Sequence, residues 1–204
     1  MGKNSSGVRG GMQPKDFDYK GKEPSKTYAL ASIKQPDVYR EVKSAVSRFE
    51  SVLGVRQKSV RLANLPEGTL GVHFTSTVEG KSEGILLNRK SFNQKRKDIE
   101  AQTRKGYESG WTTRTHKPIA HTVTHELAHA TWNQHLKSTA AKAAAPKITK
   151  VYNAWLKDKK RKGYGKYAHT NVSEFFAETI TKGIHGTKDK YTRALFGIIK
   201  KHQL

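Results

Sequence analysis

Two histidines four residues apart with a glutamate between them, His125-Glu126-Leu127-Ala128-His129, form the pattern H-E-x-x-H. On a helix, positions i and i+4 share one face, so both imidazoles can grip one metal ion. Glu126 sits about 100° round the helix from His125, within reach of a water held by that ion. This residue set suits metal-assisted hydrolysis with the carboxylate as general base. A catalytic zinc takes three protein ligands and leaves one position for water. The chain has no cysteine, so the third ligand must be a histidine or a carboxylate.

His135 has the spacing of the metzincin extension H-E-x-x-H-x-x-G-x-x-H. That extension turns sharply at its glycine, and here the position holds Trp132. The only methionines, Met1 and Met12, lie upstream, which excludes a Met-turn. Glu174 is the better candidate. It opens the segment Asn171-Val-Ser-Glu174-Phe-Phe-Ala-Glu178, in which Glu178 follows at i+4 on the same face. One carboxylate would bind the metal while the other accepts a hydrogen bond from a ligating imidazole and fixes its orientation. Asn171, three residues before Glu174, reads as an N-cap of the capping-box kind. The two roles are compatible, because a cap fixes backbone while the metal takes a side chain.

His125–His129 together with Asn171–Glu178 resembles the catalytic domain of anthrax lethal factor and related gluzincin peptidases. That group includes the Pro-Pro endopeptidases and many phage- and mobile-element-encoded homologues. The step from His129 to Glu174, and a tyrosine shortly before the glutamate, Tyr167, are similar too. The resemblance covers roughly residues 119–182, and residues 1–118 match nothing in the group. It implies a zinc-dependent endopeptidase acting on a protein or peptide. His125, His129 and Glu174 would be the zinc ligands, Glu126 the general base and Glu178 a partner of a ligand. Tyr167 would supply a hydroxyl to the oxyanion or leaving group, with Tyr164 and His169 as alternatives. The implied fold is α+β: a minimal zincin-like metallopeptidase, with a short mixed sheet packed on the active-site helix and further helices C-terminal to it.

The elements that must hold these residues are legible in part. Ile119, Val123, Leu127 and Ala130 recur at helical spacing and give the metal helix an apolar back, and Pro118 suits its first turn. From Pro36 to Gly54, the positions Val38, Val42, Val46, Phe49 and Val52/Leu53 mark an amphipathic helix closed by the glycine. Strand-like runs follow at Ser59–Ala63, Leu70–Val78 and Gly84–Asn88, the last two arranged as a hairpin. Ile85–Asn88 reads either as an edge strand lining a cleft or as an ordinary core strand. Residues 91–107 form a charged helix. Residues 137–161 form another, which Pro146 should break near Ala145. The run Lys157–Lys162 reads as a solvated helix end. Helices are also expected from Asn171 and over residues 187–204.

Residues 1–28, rich in Gly, Ser, Lys and Pro, read as a disordered basic tail, and residues 29–204 as one domain. The 204-residue chain carries 39 Lys+Arg against 17 Asp+Glu, a formal charge of +22. Such a balance favours salt-sensitive association with nucleic acid or other polyanions. It keeps two other readings open: a DNA-dependent protease of the SprT type, and a non-enzymatic virion or nucleoid protein. No transmembrane run or signal peptide is visible. The chain therefore suits a cytoplasmic protein, one packaged in a phage virion, or an effector exported by another route.

Overall fold

The computed structural model describes residues 26–56, 59–75, 82–135 and 139–202. Among them the chain is α+β, with seven α-helices and a small mixed sheet. Strands β1 (Thr27–Ala29), β2 (Val60–Ala63), β3 (Gly71–Thr75) and β4 (Ser82–Asn88) lie in the order β1-β2-β4-β3. β2 runs parallel to β4, while β1 and β3 run antiparallel to their neighbours. Thr27 and Tyr28, read from sequence as the end of the tail, belong to β1 and pair with Ala63 and Leu62. The rest of that tail, residues 1–25, lies outside the described residues, as does the hairpin loop, residues 76–81.

β4 is a core strand. It is flanked on both sides, and Ile85, Leu86 and Leu87 are fully buried. An unbroken apolar run marks a strand covered on both faces. Ile85 and Leu87 join the helices, while Leu86 packs with Ala63, Val72 and Phe74 on the opposite face. The edge strand beside it is β3, whose Gly71 and His73 pair with Leu87 and Ile85 and so share their helix-facing side.

Helix α1 (Pro36–Leu53) buries Val38, Val42, Ala45 and Phe49. Gly54 ends it in the left-handed conformation (φ 71°), its N–H reaching Glu50 O at 2.8 Å. Of the pair Val52/Leu53, it is Leu53 that packs on the core in that last turn, while Val52 is 48 % exposed. The expected helix over 91–107 is two: α2 (Arg89–Phe92), whose N-cap Asn88 accepts from Lys90 N, and α3 (Arg96–Glu108). Arg96 ties α3 to α1 through Asp37 (2.8 Å) and Glu41, and Glu41 Oε1 also accepts from Ala120 N at 3.2 Å. That bond satisfies one of the orphan donors at the start of α4 (Pro118–His135).

α4 is the central helix. Ile119, Val123, Leu127 and Ala130 are fully buried as expected, each larger side chain contributing about 1.5–3 kcal/mol. The polar half, with Thr124, His125, Glu126, His129 and Thr131, is buried as well. α4 packs on α1, β3, β4 and α6 (Val172–Ile184). α5 (Thr139–Lys157) and α7 (Lys190–His202) form an outer layer on α6. Pro146 lies inside α5 without ending it. Both Pro146 and Lys142, whose carbonyl loses its N–H partner, are exposed, so water can replace that bond. No helix among the described residues is long and apolar enough to cross a membrane.

Candidate metal centre

α4 and α6 pack side by side, and the polar rows of both helices meet between them. His125 Nε2 lies 3.1 Å from His129 Nε2, and Glu174 Oε2 lies 3.3 Å and 3.2 Å from the two nitrogens. All three residues are buried, and together they can hold a metal ion. The i, i+4 spacing brings the rings together, with centroids 4.7 Å apart. Glu174 reaches them because Asn171 Oδ1 accepts from Glu174 N at 2.9 Å, which fixes the first turn of α6. The carboxylate does not turn back to complete a capping box; it faces the histidines.

The outer nitrogen of each ring is held by α6. His125 Nδ1 lies 3.0 Å from Glu178 Oε1, and His129 Nδ1 lies 3.1 Å from Ser173 Oγ. With the Nδ1 atoms, which face these oxygens, carrying the ring protons, both Nε2 lone pairs are left for the position shared with Glu174. Burial alone would lower the His125 pKa, yet Glu174 and Glu178 outweigh it and hold the ring well above its ordinary value in the metal-free protein. Glu174 and Glu178 are correspondingly held below the usual carboxylate range, against burial, by the histidines facing them.

A second group of metal-ligand type, His121, His125 and Glu178, shares His125 with the first. There Glu178 Oε1 stands 3.0 Å from His125 Nδ1 and 3.6 Å from His121 Nε2. His121 opens the same face of α4, one turn before His125.

Glu126 lies beside the first group and is 3 % exposed. Its carboxylate accepts the backbone N–H of His73 on β3, while Oε2 has no hydrogen-bond partner. Burial raises its pKa above the usual carboxylate value, and the Glu174 charge adds to that. A Cβ on Gly71 would lie 2.9 Å from Glu126 Cγ, so glycine is what lets β3 pass close under Glu126.

Tyr167 is 1 % exposed, and its ring stacks on His125 with centroids 5.7 Å apart. Its backbone is tied to the connector before α4, since Tyr167 N donates to Trp111 O and Lys166 N to Gly110 O, both at 2.9 Å. Burial keeps the phenol protonated well above its ordinary pKa, and the hydroxyl hydrogen-bonds Glu174. The alternatives fall elsewhere. Tyr164 Oη accepts from Thr179 Oγ1 at 3.3 Å, and His169 packs on Trp155 and Arg161. The His135 side chain lies outside the described residues.

Sequence reasoning missed His73, Ser173 and the placement of His121. His73 stacks on His129 (5.6 Å) and meets Asn133 Nδ2 at 2.5 Å. Its signal was available: Gly71-Val72-His73-Phe74 alternates, and a histidine stands where an inward apolar residue is expected. Comparison of this chain with protein-family models, with curated proteins and with solved structures finds no match.

Proposed function

We propose that this protein is a zinc-dependent endopeptidase of the gluzincin type, with a zincin-like core resembling that of the lethal factor group. The observation that carries the reading is the triangle of His125 Nε2, His129 Nε2 and Glu174 Oε2, with sides of 3.1–3.3 Å. Donors 2.0–2.1 Å from a tetrahedral zinc stand about 3.3 Å apart, so the set fits that ion. The second group suits it less. It would use His125 Nδ1, the nitrogen that keeps its proton when Nε2 is the ligand.

Zinc, when bound, supplies a Lewis acid that acidifies water and polarises a carbonyl. Glu126 takes the proton of the attacking water on its unpartnered oxygen and passes it to the leaving nitrogen. Its raised pKa supports both halves of that transfer, since a base nearer the working pH also returns the proton. Tyr167 donates its hydroxyl to the developing oxyanion, an interaction worth about 2–4 kcal/mol in a water-excluded site. The outer edge of β3, next to Glu126, has no further strand among the described residues. It offers main-chain groups with which an extended peptide can pair.

The test is elemental analysis of wild-type protein beside Glu174→Ala, followed by a peptide-library cleavage screen with Glu126→Gln as control. One zinc per chain, lost in Glu174→Ala, with cleavage abolished in Glu126→Gln, is the expected result. Absence of zinc from wild type after reconstitution, or full activity in Glu126→Gln, refutes it.

A further inference from the structure

Acidic groups are segregated in this molecule. Among residues 139–202, Glu174 and Glu178 are buried at the metal centre. Asp158 pairs with Lys190 Nζ at 2.7 Å and Asp189 with Lys182 Nζ at 3.5 Å, and neither is exposed. No exposed carboxylate remains in that segment, whereas protein surfaces ordinarily intersperse both signs. On α5, Lys142, Lys150 and Lys157 are exposed and fall on one stripe with Thr149 and Asn153, being separated by close to two turns each. The stripe runs about 22 Å at the helical rise per residue. α7 adds exposed Arg193, Lys200 and Lys201. On the flank where the two helices approach each other, away from the stripe, Lys147 Nζ lies 2.9 Å from His202 Nε2.

We propose that the lysine stripe of α5 is a docking surface for the phosphate backbone of double-stranded DNA. Lysines interleaved with hydroxyl and amide side chains are the groups that contact phosphates without reading bases. A membrane-binding face would present Trp, Phe or Leu beside its lysines, and the one exposed large apolar residue on this layer among those described is Leu156, at 38 %. A single-strand site would present aromatic rings for stacking. The rings of this layer instead turn inward: Trp155 is fully buried, and Tyr152 and Trp155 pack on Phe175 at 5.3 and 4.9 Å. α5 packs mainly on α6 and α7, whereas β3 packs on β4 and α4, so DNA bound along α5 leaves the outer edge of β3 open. The proposal is independent of the peptidase reading.

The experiment is anisotropy titration of a labelled duplex of about 30 base pairs with the full chain, over about 50–300 mM salt. Wild type is compared with Lys142→Gln/Lys150→Gln/Lys157→Gln. A control, Lys95→Gln/Lys97→Gln/Lys105→Gln, removes the same charge from exposed positions at α3. The α5 variant is expected to bind about tenfold or more weakly, with a log–log salt slope shallower by about 2.7, from roughly 0.9 per phosphate contact. The control should keep the wild-type slope. Equal losses in both variants would reduce the effect to net charge and overturn the surface. So would tighter binding of the matching single strand, or loss of binding to anionic phosphatidylserine vesicles while duplex binding is kept.

Discussion

Replacing Glu178 by alanine separates two effects that the candidate metal centre couples. The variant removes the acceptor 3.0 Å from His125 Nδ1 and 3.6 Å from His121 Nε2. His125 then loses the partner that fixes its tautomer and ring angle, a loss that typically weakens metal binding about 10–100-fold. At 1.4 kcal/mol per tenfold this is about 1.4–2.8 kcal/mol. A second effect runs the other way. In the metal-free protein Glu178 helps hold the His125 proton well above the ordinary pKa, and that proton must leave before the ring can bind a metal. Removing Glu178 relieves this competition where wild-type His125 is still protonated. The affinity deficit of Glu178→Ala should therefore be small near the ordinary histidine value and reach its full size only as pH rises through the raised one. Zinc competition against a chromophoric chelator at several pH values reads this directly. Glu178→Gln, which keeps an acceptor without the charge, should fall between. Wild-type affinity in a folded Glu178→Ala protein at alkaline pH would refute the reasoning, and circular dichroism establishes the fold.

Other expectations follow from the same geometry. Gly71→Ala should push Glu126 from its position and cut kcat/KM roughly 10–100-fold, since misplacement by about 1 Å costs that much, while zinc content stays at the wild-type value; unchanged turnover would refute the close approach. Tyr167→Phe should lower kcat by about 30–1,000-fold, matching an oxyanion contact of about 2–4 kcal/mol, with metal content and melting temperature little changed; an unaltered kcat would assign the tyrosine to packing alone. His185 is held down to about 4, chiefly by burial and then by His121, Arg48 and Lys117. The unfolded chain binds this proton first as pH falls from about 6.5, so stability drops between there and about 4. Partial exposure reduces the contribution to about 1–2 kcal/mol. Chemical denaturation at several pH values should show His185→Gln losing less stability over that window than wild type, and identical pH profiles would exclude the assignment.

The sequence by itself determined the chemistry-bearing face of α4 and the start of α6. Helical periodicity is local: His125 and His129 meet because four residues make about one turn, and Asn171 caps α6 three residues before Glu174 wherever that helix lies. Charge balance and the missing cysteines were likewise properties of composition. What only tertiary structure decided was everything carried across elements. The hairpin was legible, but β2 pairing in parallel with β4 placed Ile85–Leu87 inside the sheet and left β3 at the edge. That exchange put His73 on His129 and Gly71 under Glu126. Pro146 was a sound local signal overridden because its side of α5 faces water, where a lost backbone bond costs least. Tyr167 reaches His125 through backbone bonds to Gly110 and Trp111, residues remote in sequence, and no pattern within the loop encodes that pairing. Periodicity fixes which side chains share a face; which faces meet depends on the packing of the whole core.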